Sequence, residues 1–335
     1  MTRQRRRAGR SIGLALAGGG PEGAVYEIGA LRALEESLDG VDFNDLDSYV
    51  GVSAGSFVAA LLANDVPVSQ LVRMIVTHEP SEQPFHFEEF FSPAYGELAG
   101  RVAMLPRLAI ESLWHFARRP GDQSLREALT HLGQALPVGL FSNDAIRRYL
   151  ERTFARKRRT NDFRRLRHRL TVVAADLGSG LPVLFGEPGW DDVPIATAVQ
   201  ASTALPGLYP PVRVNGSDCV DGVLLRTVHA SVALERGVEL LLCINPIVPT
   251  DVRSAIGRGL MPRGILTQRG LPTVLSQTFR TLIHSRLEVG LSRYATRFPN
   301  ADLVLFEPGR DEYAMFFSNM FSFASRKEVC ELAYR

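Results

Sequence analysis

Cysteine is scarce in this chain of 335 residues. Cys219, Cys243 and Cys330 are the only three, and their spacing fits no paired pattern. That excludes a disulfide framework and a structural zinc site, and it suits a reducing compartment. Histidines and carboxylates show no ligand-like spacing either, so neither metal nor cofactor is expected. Long apolar runs are also missing, and nothing approaches the ~18 residues that a bilayer-spanning helix requires. Five arginines in the first ten residues, followed by an apolar run over 12–17, imitate an export signal. The run is too short for one and is needed as a strand, so export is not expected. The expected location is cytoplasmic, with peripheral contact on the inner face of the membrane. Net charge is only +2, and no aromatic interleaving or reader motif accompanies the basic residues, which argues against nucleic acid. Internal repeats and low-complexity segments are absent.

What is present is enough apolar residue, 45% of the chain, to bury a sizeable core. Short apolar segments near 11–17, 48–52, 170–175, 181–185, 238–244 and 302–306 read as strands. Helical spacing occupies 24–34, 56–62, 66–78, 106–116, 273–297 and 312–334. Proline at 106 reads as the first residue of its helix. Alternation of this kind predicts an α/β fold, a mainly parallel central sheet with helices on both faces. The expected organisation is one catalytic domain over 11–245 with a helical insertion at about 80–140. A basic tail (1–10) precedes it, and a helical extension (246–335) packs on the same domain.

One pentapeptide carries the strongest chemical signal. Tyr49-Val50 runs into Gly51-Val52-Ser53-Ala54-Gly55, and a helix-compatible stretch follows. Strand, Gly-x-Ser-x-Gly turn and helix is the context in which a serine hydroxyl is presented on a strained elbow. Cβ atoms at Gly51 and Gly55 would crowd that turn. Ser53 is therefore the candidate nucleophile; its ordinary alternative is a helix N-cap after a glycine turn.

A second signal precedes it. Gly18-Gly19-Gly20-Pro21-Glu22-Gly23 lies between a strand and a helix. Such a loop offers peptide N–H groups without intrahelical partners at the positive end of a helix, suited to a phosphate or an oxyanion. Gly18-x-Gly20-x-x-Gly23 also matches a dinucleotide fingerprint. That reading needs an acid at the end of the second strand, whereas Asp42, Asp45 and Asp47 precede it.

The third signal is Ala201-Ser202-Thr203-Ala204-Leu205-Pro206-Gly207, continuing to Pro210-Pro211 and then to Asp221-Gly222. In this order, over about 11–245, the chain resembles the patatin-like phospholipases and their three-layer α/β/α fold. The resemblance implies a serine acyl-ester hydrolase, a phospholipase A or lysophospholipase, acting on a lipid ester. It implies a Ser53–Asp221 dyad without histidine and an oxyanion hole from the amides of Gly18, Gly19 and Gly20, with Gly23, Gly51, Gly55 and Gly222 as supporting motif positions. Three departures stand out. Glu22 replaces the usual Arg or Lys, Val223 follows Asp221-Gly222 in place of Gly or Ala, and Arg226-Thr227-Val228 replaces a segment that often holds Asn and Pro. An Arg226 reaching toward the site would restore the missing positive charge. These departures also leave open a lipid-binding or scaffold protein with weak or no hydrolysis.

Two further features have competing readings. His229, close after Asp221, would complete a Ser-Asp-His order, or serve only as a capping or surface residue. The stretch 147–169 contains eleven Arg or Lys. It reads as a solvated helix end and loop, or as a patch in transient contact with an anionic membrane surface. Aromatic residues of the 80–140 insertion read as core, or as a lid and acyl pocket.

Overall fold

The computed structural model describes residues 10–77, 85–118, 136–313, 315 and 322–335. The arginines before Arg10, Arg119-Pro120-Gly121, at which the helix from Pro106 is expected to end, and Phe316, Phe317, Met320 and Phe321 lie outside them. Strands are β1 (Ile12–Leu16), β2 (Ser48–Val52), β3 (Arg169–Asp176), β4 (Pro182–Phe185), β5 (Val212–Val214), β6 (Ser217–Asp221), β7 (Leu240–Ile244) and β8 (Asp302–Phe306). The main helices are α1 (Gly20–Ser37), α2 (Ala54–Leu62), α3 (Tyr95–Arg118), α4 (Asp144–Phe154), α5 (Ile195–Ser202), α6 (Leu271–Arg297) and α7 (Phe323–Tyr334).

All eight strands form one sheet. Its parallel centre pairs β3 with β2, β2 with β1, β1 with β7, and β7 with β8. Antiparallel β4, β5 and β6 extend the β3 side. Alternation along the strands explains the layers, because successive side chains leave opposite faces. Leu14, Leu16, Tyr49, Leu242 and Ile244 join α1 and α2 residues such as Val25, Ile28, Phe57 and Leu61 in one core. Ala15, Val50, Val52, Leu241 and Cys243 join Ile283 and Leu287 of α6 in the other. The strands are buried on both sides, hence their near-continuous apolar sequences.

Several boundaries differ from expectation. Pro106 lies inside α3, which begins at Tyr95. The spacing after Pro106 is helical, but the upstream residues are good helix formers too. The 66–78 pattern splits into a short helix, Val68–Leu71, and a π-helical turn, Val72–Thr77. Of the helix expected over 312–334, the described residues show Met315 in helical conformation and α7 from Phe323. Strands β5 and β6 were hidden in sequence because their pairing is antiparallel and half exposed, with Arg213 and Asp218 on the outer face. Among the described residues no helix is long and apolar enough to cross a membrane.

Candidate active site

The parallel strands end on one side of the sheet, and the motif residues follow those ends directly. Ser53 comes one residue after β2, and Gly18 two after β1. Ser53 adopts φ 53°, ψ −125°, a region that costs a non-glycine residue about 1–3 kcal/mol. The elbow persists because its surroundings fix it. The Ser53 amide donates to Ser202 Oγ (2.8 Å), and Ser202 Oγ donates to the Val173 carbonyl (2.6 Å). Close packing explains both motif glycines: a Cβ on Gly51 would stand 2.4 Å from Ser56 Cα, and one on Gly55 2.3 Å from the Ala17 carbonyl oxygen.

Asp221 reaches Ser53 through strand register. Rung by rung, Val173 of β3 pairs with Val52, and the next residue, Ala174, pairs with Asp221. Strand β4 pairs with Val172 through Ala175 and so occupies one edge of β3 over both rungs. Hence β2 and β6 share the other edge and meet end to end, with Ser53 and Asp221 at the junction. The Ser53 side chain lies beside the Asp221 carboxylate, whose Oδ1 accepts from the Val223 amide (3.0 Å). Its own amide donates to the Ala204 carbonyl (3.0 Å). Burial, opposed by the Ser53 hydroxyl and the Val223 amide, pushes its carboxyl up to about 7. Asp221 is 2% exposed and Ser53 6%.

The glycine loop stands against Ser53. A Cβ on Gly18 would lie 3.1 Å from Ser53 Cβ, so the bare Cα faces the hydroxyl-bearing residue. Gly19 precedes α1 at φ 140°, a conformation closed to other residues. At the start of α1 the amides have no intrahelical partner. Gly23 packs its Cα against Pro246, and a Cβ on Gly222 would meet the Val173 carbonyl at 2.5 Å. Gly18 thus stands against Ser53, Gly55 against Ala17 at the start of the glycine loop, and Gly222 against Val173 on the strand beside the elbow. The residue that sequence reasoning missed is Ser202. It sat in the third motif without a role, although a small hydroxyl there is the only hint.

Two expected contributors stand elsewhere. His229 is buried, but its Nε2 lies 3.3 Å from the Gly222 carbonyl; its place is behind the Asp221-Gly222 turn. Burial drives its pKa down to about 4, so the ring is neutral at pH 7. Arg226 donates to Ser231 Oγ (3.1 Å). The group that lies in electrostatic reach of Glu22 is Arg280 of α6. A cleft of about 290 Å³ between Leu225–His229 and α6 includes neither Ser53 nor Asp221.

The arrangement can attack a carbonyl with Ser53, move its proton to Asp221 and hold the resulting oxyanion at peptide amides. Residues 14–234 match the sequence model of the family described as "Patatin-like phospholipase". Lysophospholipase NTE1 of Pyricularia oryzae is 27% identical over 257 residues, which are 76% of this chain and 13% of that protein. Lysophospholipase nte1 of Aspergillus niger is 45% identical over 64 residues, 19% of this chain and 4% of the relative. This chain thus spans a small fraction of these relatives' length. Among solved structures, the type III effector ExoU of Pseudomonas aeruginosa is 14% identical, with TM-score 0.40, over 97% of this chain and 51% of that one. VipD from Legionella pneumophila is 17% identical, with TM-score 0.35, over 75% and 53%. The family match covers most of the chain and every motif around Ser53: this protein belongs to the patatin-like phospholipase family, hydrolases that act on lipid esters.

Proposed function

We propose that this chain is a lipid acyl hydrolase of the phospholipase A or lysophospholipase type, using Ser53 as nucleophile and Asp221 as base. The observation that carries the reading is the meeting of Ser53 and the buried Asp221 at the junction of β2 and β6. In the proposed reaction Ser53 Oγ attacks the ester carbonyl carbon as Asp221 takes its proton. The tetrahedral oxyanion rests on the Gly18–Gly20 amides. The C–O bond to the leaving alcohol breaks, the alcohol takes the proton from Asp221, and an acyl-serine remains. Water then gives a proton to Asp221 and attacks the acyl-serine, the bond from the acyl carbon to Ser53 Oγ breaks, and Oγ takes the proton back from Asp221 as the fatty acid leaves. A carboxylate held near 7 is matched to this work, whereas an ordinary aspartate is a weak base at neutral pH. Esters suit such a base because an alkoxide leaves more readily than an amine.

The lipid surface is placed, in this reading, at the strand ends that carry Ser53. Exposed Val138, Leu140, Tyr95, Leu271, Leu275 and Phe279 are the apolar side chains offered for that contact. The basic stretch 147–169 leads into Arg169, the first residue of β3, level with Ser48. Arg169 is separated from Ser53 by the length of β2, about 15 Å. Several of its cations are already paired, Arg164 with Asp162 and Arg167 with Asp45 among them. In this reading the protein is cytoplasmic and peripherally attached, with apolar contact at the site.

Lysophosphatidylcholine and p-nitrophenyl butyrate are the test substrates. Wild-type protein should release fatty acid from both, and Ser53→Ala from neither; turnover by the Ser53→Ala protein would refute the assignment.

A further inference from the structure

Glu22 is the one acidic residue in the first turn of α1, beside the glycine loop. Its Oε2 folds back to 3.5 Å from where a Cβ on Gly20 would stand. A carboxylate there opposes negative charge gathering at the same amides. Two unit charges about 6 Å apart, at an effective dielectric near 20, repel enough to slow a reaction roughly a hundredfold.

The C-terminal part of the chain supplies the answer. After β7, Asn245-Pro246-Ile247-Val248 runs behind the glycine loop: Pro246 Cγ is 2.8 Å from the Cβ position of Gly19, and Ile247 Cδ1 is 3.5 Å from that of Gly18. Helix α6 is fastened to this strip. Arg280 Nη1 donates to the Val248 carbonyl (3.4 Å), and Gln277 Nε2 to that of Thr250 (2.8 Å). One turn on, α6 reaches the other side of the site, where Arg286 Nη1 donates to the Leu224 carbonyl (2.6 Å) and the Ile283 carbonyl accepts from Thr227 Oγ1 (3.3 Å). Burial raises the Glu22 carboxyl and depresses the Arg280 guanidinium, while each partner's charge counteracts that push on the other.

We infer that Arg280 is a positioning residue of the hydrolytic site, a cation from outside the family-matched segment that neutralises Glu22 and leaves the Gly18–Gly20 amides free for the oxyanion. The inference rests on the Ser53 reading given above. It makes α6 part of the catalytic unit, although residues 14–234 alone carry the family match.

A double-mutant cycle on the full chain tests it, with p-nitrophenyl butyrate at pH 8.5. Arg280→Gln should lower kcat roughly thirty- to a hundredfold with KM changed less than about threefold. Arg280→Lys should keep most of the activity. Adding Glu22→Gln to Arg280→Gln should return kcat to within about fivefold of wild type, a rescue that lost packing would not give. A double variant no better than Arg280→Gln, or an Arg280→Gln protein equal to wild type, overturns the inference. If Arg280→Gln does not fold, Glu22→Gln alone decides. A kcat at or above wild type supports the charge argument, and a lower one overturns it. Activity surviving Ser53→Ala would instead mark failure of the nucleophile assignment, whatever the cycle gives.

Discussion

Asp221 stands one rung beyond Val52 along the same edge of β3. From that relationship the contact with Ser53 follows, because the residue after Val52 must turn away at the point where β6 arrives. Two strands of opposite direction, far apart in sequence, abut on a third. The Ser202 hydroxyl and the Ala204 carbonyl then hold the two amides, so one short segment fixes both partners.

The pH dependence of hydrolysis should report Asp221. Its carboxyl is raised to about 7 by burial, so the base form gathers only as pH rises through neutrality. A plot of kcat/KM against pH should show an ascending limb centred near 7, absent from Asp221→Asn, whose rate should fall about 10²–10⁴-fold. A limb near pH 4 would mean that Asp221 is not the base or is well solvated.

His229 should not set that limb. Held near 4 by burial and bonded to Gly222, it stays neutral throughout the working range. His229→Gln should leave the midpoint of the pH profile in place and lower the melting temperature, the replaced contact being worth about 0.5–1.5 kcal/mol. Loss of the ascending limb in this variant would transfer the proton to histidine.

Ser202→Ala removes the hydroxyl between the Ser53 amide and the Val173 carbonyl. Two buried polar groups lose their partner, at about 1–3 kcal/mol each. With the strained elbow released, kcat should fall while KM for a short ester changes little. A variant with wild-type kcat would show that the elbow is held without Ser202.

Glu27 is a separate matter of stability. It is fully buried in α1, and neither carboxyl oxygen has a hydrogen-bond partner in the structure. Burial raises its pKa well above the usual value. The folded state therefore holds a proton that the unfolded chain releases, and stability falls as pH rises above the unfolded value, about 4.3. Glu27→Met should stabilise the protein by about 1–3 kcal/mol near neutrality, with a gain that grows between pH 5 and 8. Chemical denaturation at those two pH values measures it. An equal gain at both would contradict a neutral buried carboxyl.

Much of the architecture was legible because the parallel strands are short apolar runs set between helical spacings. Residues 48–52 and 302–306 were read with the same bounds that the structure shows. The glycine loop and the elbow were legible because close packing permits only glycine at Gly51 and Gly55, a requirement written directly into sequence. Asp221 was identifiable through family resemblance alone, since register with β3 depends on pairing across 47 residues from Ala174 to Asp221. Ser202, β5 and β6 escaped for the same reason. Arg226 looked like the compensating cation because it is near Asp221 in sequence. Arg280, 258 residues after Glu22, is near only once α6 has docked.

The most direct test of the account is covalent labelling of the folded protein with a fluorophosphonate, followed by peptide mapping. A single adduct on Ser53, slowed strongly by Asp221→Asn, is the predicted result. An intact Ser53 in protein that still hydrolyses lysophosphatidylcholine would contradict it.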